Sequence, residues 1–327
     1  MTTNSLILMI LFQPDTYVWL SALCLAVVSA MLFLLCRRHR RLWLQLLSLL
    51  FVAIGWYVLL YGTFIGFRQL EVKRMELAFS DLPQAFDGYR IVQVSDVHIG
   101  TYTGWREEIL RRAIDSINAQ QADMVVLTGD LQNKHPKEIV PYMDLLGTIK
   151  AKDGVYTVMG NHDYAEYLDI DPVEKDIVSH KTMSLEEDIG WTLLLNSHRR
   201  IRRGGDSIVI AGMENDGEGR FPQLGNLAIT LRRLKRQSFV VMLEHDPTSW
   251  KRKILPHSHT QLTLSGHTHG GQFSIFGWSP ASLRYDEYEG LYRAGNRQLF
   301  VSKGLGGVIP IRFGETGEIV VITLRRE

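Results

Sequence analysis

Five short motifs in this 327-residue chain carry the residue types of a metal site. Asp96-Val97-His98 follows the run RIVQVS, and Gly129-Asp130 follows MVVLT. Gly160-Asn161-His162-Asp163 follows VYTVM, and Glu244-His245-Asp246-Pro247 follows FVVML. Gly266-His267-Thr268-His269-Gly270-Gly271 follows LTLS. Imidazole nitrogen and carboxylate oxygen suit divalent ions such as manganese, zinc or iron. One carboxylate can also bridge two ions. A lone histidine is more often a surface or satisfied core residue, and GNHD or GHTH alone could be a turn. The conjunction carries the signal: of 11 histidines, five (His98, His162, His245, His267, His269) fall in motifs that each close an apolar run.

Those runs read as strands. Arg90–Ser95, Asp123–Thr128, Val155–Met159, Ser207–Ala211, Ser238–Leu243, Gln261–Leu264, Leu299–Ser302 and Glu318–Leu324 are apolar and rich in β-branched residues. Trp105–Ala119 has helical spacing, with Ile109, Leu110, Ala113, Ile114 and Ile117 on one side. Pro136–Ile149 and Leu224–Leu234 read as further helices. Helices alternate with strands in the first half, and the tail is rich in strands and glycine. That pattern predicts α/β layers with a second sheet. In open α/β sheets ligands bind beyond the carboxyl ends of the strands, which is where these motifs fall.

The ordered set D-x-H, G-D, G-N-H-D, H-x-P, G-H-T-H resembles the calcineurin-like metallophosphoesterase superfamily. The match spans about residues 88–324. LSGHTHGGQ, YEGLY, LFVSKGLGG and IPIRFG are similar to its bacterial membrane-linked branch. The resemblance implies a two-sheet β-sandwich flanked by helices. It implies that Asp96, His98 and His269 hold one metal, that Asn161, His245 and His267 hold the other, and that Asp130 bridges them. Manganese is favoured, with zinc or iron as alternatives. His162 is then no ligand but the general acid beside the scissile phosphate, with Asp163 orienting it or lying just behind. A hydroxide shared by the two ions would attack phosphorus directly, with no covalent intermediate. Monoester, diester and pyrophosphate cleavage all fit such a centre. The alternatives are a UDP-diacylglucosamine-type pyrophosphate hydrolase facing the cytoplasm and a non-catalytic scaffold of the same fold. Loss of ligands would mark the scaffold, and every expected ligand is intact. Gly317-Glu318 stands where relatives often have Pro-Glu, far in sequence from any ligand.

Residues 1–67 are a different material. Their net charge is +3, against −2 for the remainder. Val18–Cys36 is an uncharged run of 19 residues and Leu42–Phe67 one of 26. About 20 apolar residues cross a bilayer core as a helix. We therefore expect a two-span anchor over 1–67, with spans about 17–36 and 42–66, and a catalytic domain over 68–327. Tyr17, Trp19 and Trp43 suit the water–lipid boundary. Residues 5–12 are too short to cross and read as interfacial. The stretch lacks the positive n-region and small-residue cleavage site of a signal peptide. The basic cluster Arg37-Arg38-His39-Arg40-Arg41 is expected to stay cytoplasmic, which places the catalytic domain outside. Arg68, Lys73 and Arg74 pull the other way.

The near-neutral balance gives no sign of nucleic-acid binding. No obligate protein partner is evident. The expected partners are the bilayer and a phosphorylated small molecule or lipid. Two cysteines, both in the first apolar run, exclude a disulfide scaffold and a multi-cysteine metal site. His257-Ser258-His259 reads as a solvated loop, and Arg199–Arg203 as an exposed turn. Phe273, Phe276 and Trp278 have two readings of equal weight: core packing, or an apolar lip facing the bilayer beside the metals.

Overall fold

The computed structural model describes residues 14–39 and 42–327. The interfacial segment expected at 5–12 lies outside them, as do the side chains of the basic cluster at 37–41. Helix α1 spans Pro14–His39 and α2 spans Leu42–Phe64. At ~1.5 Å per residue they are about 39 and 34 Å long, enough to cross a bilayer core of roughly 30 Å. They pack on each other, with Gly55 of α2 against Leu25 of α1. Their outward faces expose Leu23, Met31, Phe33, Leu46, Leu49 and Phe51. A water-facing helix would not carry such a surface. The helices are long and apolar enough to span a membrane.

Twelve strands follow, in two six-stranded sheets. The first sheet has the order β1 (Leu70–Phe79), β12 (Gly317–Arg326), β2 (Arg90–Val94), β3 (Met124–Thr128), β4 (Val155–Val158), β5 (Thr192–Leu193). The second has β10 (Gly290–Ala294), β11 (Arg297–Val301), β9 (Leu262–Ser265), β8 (Phe239–Leu243), β7 (Asp206–Gly212), β6 (Ser197–Arg203). Strands β2–β4 run parallel, as do β7, β8, β9 and β11. Their carboxyl ends therefore share one end of the sandwich. Ile91, Met124, Val126, Ile210, Val241, Leu264 and Phe300 fill the space between the sheets. On the outer face of the first sheet, Val92 and Val125 meet the apolar side of helix α3 (Glu107–Ala119). Burial on both faces explains why the central strands read as continuous apolar runs.

Several elements differ from the sequence reading. Residues 136–149 form separate helical turns, at Pro136–Glu138, Val140–Tyr142 and Met143–Leu146. Pro141 has no amide hydrogen, so the helical ladder cannot run through it. Residues 224–234 hold only the short helix Leu227–Thr230. Arg199–Arg203 is not a turn but most of β6, with exposed Arg199, Arg200 and Arg202 around buried Ile201. Strand β1 escaped notice because charges interrupt it. Helix α4 (Pro172–Asp188) did so because it has few apolar residues, although Asp171 caps the amides of Val173 and Glu174.

Candidate metal centre

The five motif loops converge at the carboxyl end of the sandwich. Gly160 and Gly266 permit this: a Cβ on Gly160 would strike the Asp130 carboxylate, and one on Gly266 would strike Ser95 and Asp96. Asp96, His98, Asp130, His267 and His269 all have φ between 45° and 74°. Non-glycine residues rarely adopt the left-handed region. Such strain, of order 1 kcal/mol or more per residue, persists where function requires the geometry.

The donors form two groups around one carboxylate. Asp96, His98, Asp130 and His269 offer ligand atoms within 4.8 Å of one another, and so do Asp130, His245 and His267. Asn161 joins the second group, its Oδ1 lying 2.7 Å from His267 Nδ1 and 3.1 Å from His245 Nε2. In the first group, His98 Nε2 is 3.2 Å from His269 Nε2, which is 3.4 Å from Asp96 Oδ1. Asp130 Oδ2 stands between the groups, 3.2 Å from His245 Nε2 and 3.6 Å from His98 Nε2.

Tautomers test whether cations fit. His245 Nδ1 lies 2.7 Å from the Thr128 carbonyl, which can only accept, so Nδ1 carries the hydrogen. The neutral ring then aims an Nε2 lone pair at two further acceptors, Asp130 Oδ2 and Asn161 Oδ1. His98 repeats the arrangement, with Nδ1 facing Asn133 Oδ1 at 3.1 Å. Converging acceptors are reconciled by positive charge, and a carbonyl or amide oxygen behind each imidazole is usual for metal ligands. The electrostatics agree. Burial alone would lower the pKa of His245, but the Asp130 carboxylate outweighs it and pushes the pKa well above the usual range. Burial would raise Asp130, yet the His245 and His162 imidazoles hold it well below. Burial pushes Asp96 up to about 6 and His267 down to about 4. It also holds His98 and His269 well below the usual imidazole range. The donors fit two divalent ions.

His162 stands beside this set, its ring 4.6 Å from that of His98. Its backbone amide donates to Asp130 Oδ1 at 2.8 Å, and its Nδ1 faces the Asn133 carbonyl at 2.5 Å. Tyr167 stacks on the ring at 4.0 Å, and the Tyr167 hydroxyl accepts from Asn161 Nδ2. Burial draws the His162 pKa down. The Asp163 carboxylate accepts from the amides of Asp130, Gly160 and Gln132, so it braces the backbone under the site. Burial, helped by the Asp130 charge, raises its pKa to about 7.

The sequence reading missed Asn133, Tyr167 and Tyr285, whose hydroxyl lies 3.0 Å from His267 Nε2. Asn133 and Tyr167 follow motif residues within five positions, the one signal that could have marked them. Gly317-Glu318, remote in sequence, is close in space: Glu318 Oε1 accepts from Lys303 N, beside Gly304, which packs on Asp96. His257 and His259 belong to neither donor group.

A two-sheet sandwich with a paired Asp/His cluster beyond its strands defines a class, that of the metallophosphoesterases. The chain belongs to the calcineurin-like phosphoesterase family, whose sequence model matches residues 89–271. It is 31% identical over 276 residues to the uncharacterized metallophosphoesterase YkuE of Bacillus subtilis, covering 81% of this chain and 89% of that one. It is 29% identical to a Danio rerio transmembrane protein with a metallophosphoesterase domain, over 86% of this chain and 62% of the relative. Among solved structures it is similar to a phosphopantetheinyl hydrolase from Mycobacterium tuberculosis, at 14% identity and TM-score 0.43, covering 66% of this chain and 89% of that one.

Proposed function

We propose that this protein is a membrane-anchored, dinuclear-metal phosphoesterase. The observation that carries the reading is the pair of donor groups sharing Asp130. Asp96, His98, Asp130 and His269 would hold one divalent ion; Asp130, Asn161, His245 and His267 would hold the second, with manganese favoured. Bound there, such a pair supplies Lewis acidity toward a phosphoryl oxygen and lowers the pKa of water.

The chain's own groups do the rest. The Asn133 carbonyl keeps the Nδ1 hydrogen of His162 in place, leaving Nε2 to carry the catalytic proton. Stacking on Tyr167 fixes the plane of that ring. His162 gives its proton to the leaving oxygen; its lowered pKa makes it a stronger acid once charged. Asp163 keeps the amide of Asp130 and the Gly160 turn in position.

The anchor comprises residues 1–67, the catalytic domain 68–327. The basic cluster at 37–41 favours an extracytoplasmic catalytic domain. A topology reporter fused after Glu327 tests the side. Metal analysis of the purified protein, with turnover of aryl phosphomonoester and phosphodiester after manganese addition, tests the activity. A metal-loaded protein inactive on every phosphoester would refute it.

A further inference from the structure

The sequence left Phe276 and Trp278 between core packing and a membrane-facing lip. Both side chains are exposed, Phe276 completely, which removes the packing reading for them. Ile275 and Trp278 exchange two backbone hydrogen bonds of 3.0 Å, closing a two-residue hairpin. Its central residues are Phe276, with φ 52°, and Gly277, with φ 79°. Both central residues of a type I′ turn need positive φ, and Asn-Gly is the favoured pair. A bulky aromatic at the first position is a true outlier. The fold therefore strains its backbone to show a phenyl ring left fully exposed among the described residues.

The root of this hairpin reaches the second apolar helix through Phe313. Ser274 N donates to the Phe313 carbonyl at 2.7 Å, and Phe273 stacks on Phe313 at 5.6 Å. Phe313 in turn meets Tyr61 at 5.6 Å and Tyr57 at 6.0 Å. Tyr57 is seven residues before the end of α2, about 10 Å along its axis. The catalytic domain thus overlaps the last turns of a helix only slightly longer than the bilayer core is thick. A boundary belt marks the same level. Phe64 stacks on Trp105 at 6.0 Å, and the Arg68 guanidinium lies 4.4 Å from that ring. Arg106 pairs with Asp15 at the start of α1 at 2.7 Å. Arginine and tryptophan favour this interface.

The metal-ligand loops touch the same level. His98 runs directly into the turn Ile99–Thr101, which packs on α1. His269 opens the turn His269–Gln272, which leads into Phe273 and the hairpin. Arg312 N donates to the Gly62 carbonyl of α2, while its side chain holds the carbonyls of Gly304 and Gly306, next to Asp96.

We propose that the Ile275–Trp278 hairpin inserts into the bilayer beside the second span, and that the site receives the phosphate of a bilayer-resident phospholipid from the side. The substrate half rests on the phosphoesterase reading; the insertion half does not. The apolar occupant is lipid because the hairpin is tied, through Phe313, to a helix long and apolar enough to span a bilayer. The acyl chains stay among the aromatic side chains, and the headgroup phosphate lies level with the ligand loops.

The test uses the full chain in phosphatidylethanolamine–phosphatidylglycerol vesicles. A fluorophore is attached to Phe276→Cys or, at the far end of the sandwich, to Gly205→Cys, each in a Cys24→Ser, Cys36→Ser background. Doxyl-labelled lipids should quench the probe at 276 and not at 205. Equal exposure of both probes to water overturns insertion. Phe276→Asn relaxes the turn and removes the ring, so the fold should remain at least as stable. Turnover of phosphatidic acid and phosphatidylglycerol in the vesicles should fall tenfold or more, while that of p-nitrophenyl phosphate and its bis-ester stays unchanged. Equal loss on both kinds of substrate, or hydrolysis of the soluble esters alone by the parent protein, overturns the lipid substrate. Failure on every phosphoester defeats the phosphoesterase reading instead, and quenching still decides insertion.

Discussion

The two ends of the sandwich treat buried charge in opposite ways. At the amino end of β3, Asp123 accepts from Arg203 at 2.9 Å, from Lys152 at 3.0 Å and from the Arg90 amide at 2.8 Å. Arg203 also reaches Asp153 at 3.1 Å, where Tyr89 donates a further hydrogen bond. At the carboxyl end, Asp96 and Asp130 are fully buried and face imidazoles and backbone amides, with no lysine or arginine among the described residues in ion-pair contact. Five of the residues there have left-handed backbone. The amino end is complete as a folded structure. The carboxyl end concentrates acceptors and strain, a set that bound cations would complete. A stability device and a functional site differ less in residue type than in whether the protein supplies the counter-charge.

Breaking the shared carboxylate should have the largest effect. Asp130→Asn removes the one group common to both donor sets, so metal content measured by mass spectrometry should fall and kcat/KM should drop about a thousandfold or more. A metal-replete, active Asp130→Asn protein would end the comparison. Next comes His162→Ala, which should retain metal and lose about 10²–10⁴-fold in kcat. Full activity in that variant would remove the general-acid role.

Metal binding itself should separate the ends. Manganese at ~100 times its dissociation constant should stabilise the protein by about 2.7 kcal/mol, and chelator should reverse this. Thermal unfolding checks it; no shift would mean that the carboxyl end is already complete. Asp123→Asn should cost about 1–2 kcal/mol at pH 7 and leave turnover intact. Burial would raise the Asp123 pKa, but Arg203 and Lys152 hold it below the usual range. That contribution is therefore present above the ordinary carboxylate pKa of about 3.9. It is lost as pH falls through the lower folded value, so variant and parent should converge in acid. Smallest of all is Lys152→Ala. Lys152 is 69% exposed, and its loss should cost no more than about 0.5 kcal/mol by denaturant unfolding.

Much of this molecule was legible in its residues. The central strands and α3 stood out because burial on both faces writes apolar runs and a clear helical stripe. The donors were legible because each closes such a run. Strands β1 and β6 were hidden because they lie at sheet edges, where consecutive charges (Lys73 and Arg74, Arg199 and Arg200) fall on both faces and break the apolar alternation. Asn133 and Tyr167 were hidden because a hydrogen-bond partner needs no special residue type, only the right position. Glu318 was misplaced because distance along the chain is a poor guide to distance across a sheet.

By itself the sequence determined which groups could bind metal, that two stretches could cross a bilayer, and that the layers would be α/β. These follow from local chemistry: donor type, the length of apolar runs, and periodicity. Only the tertiary structure decided that Asp130 stands between the two donor groups, that the Asn133 carbonyl faces His162, and that the strained Phe276 turn is linked through Phe313 to the second apolar helix. Those facts depend on loops from different strands meeting in space, and no local pattern encodes the angle at which they meet.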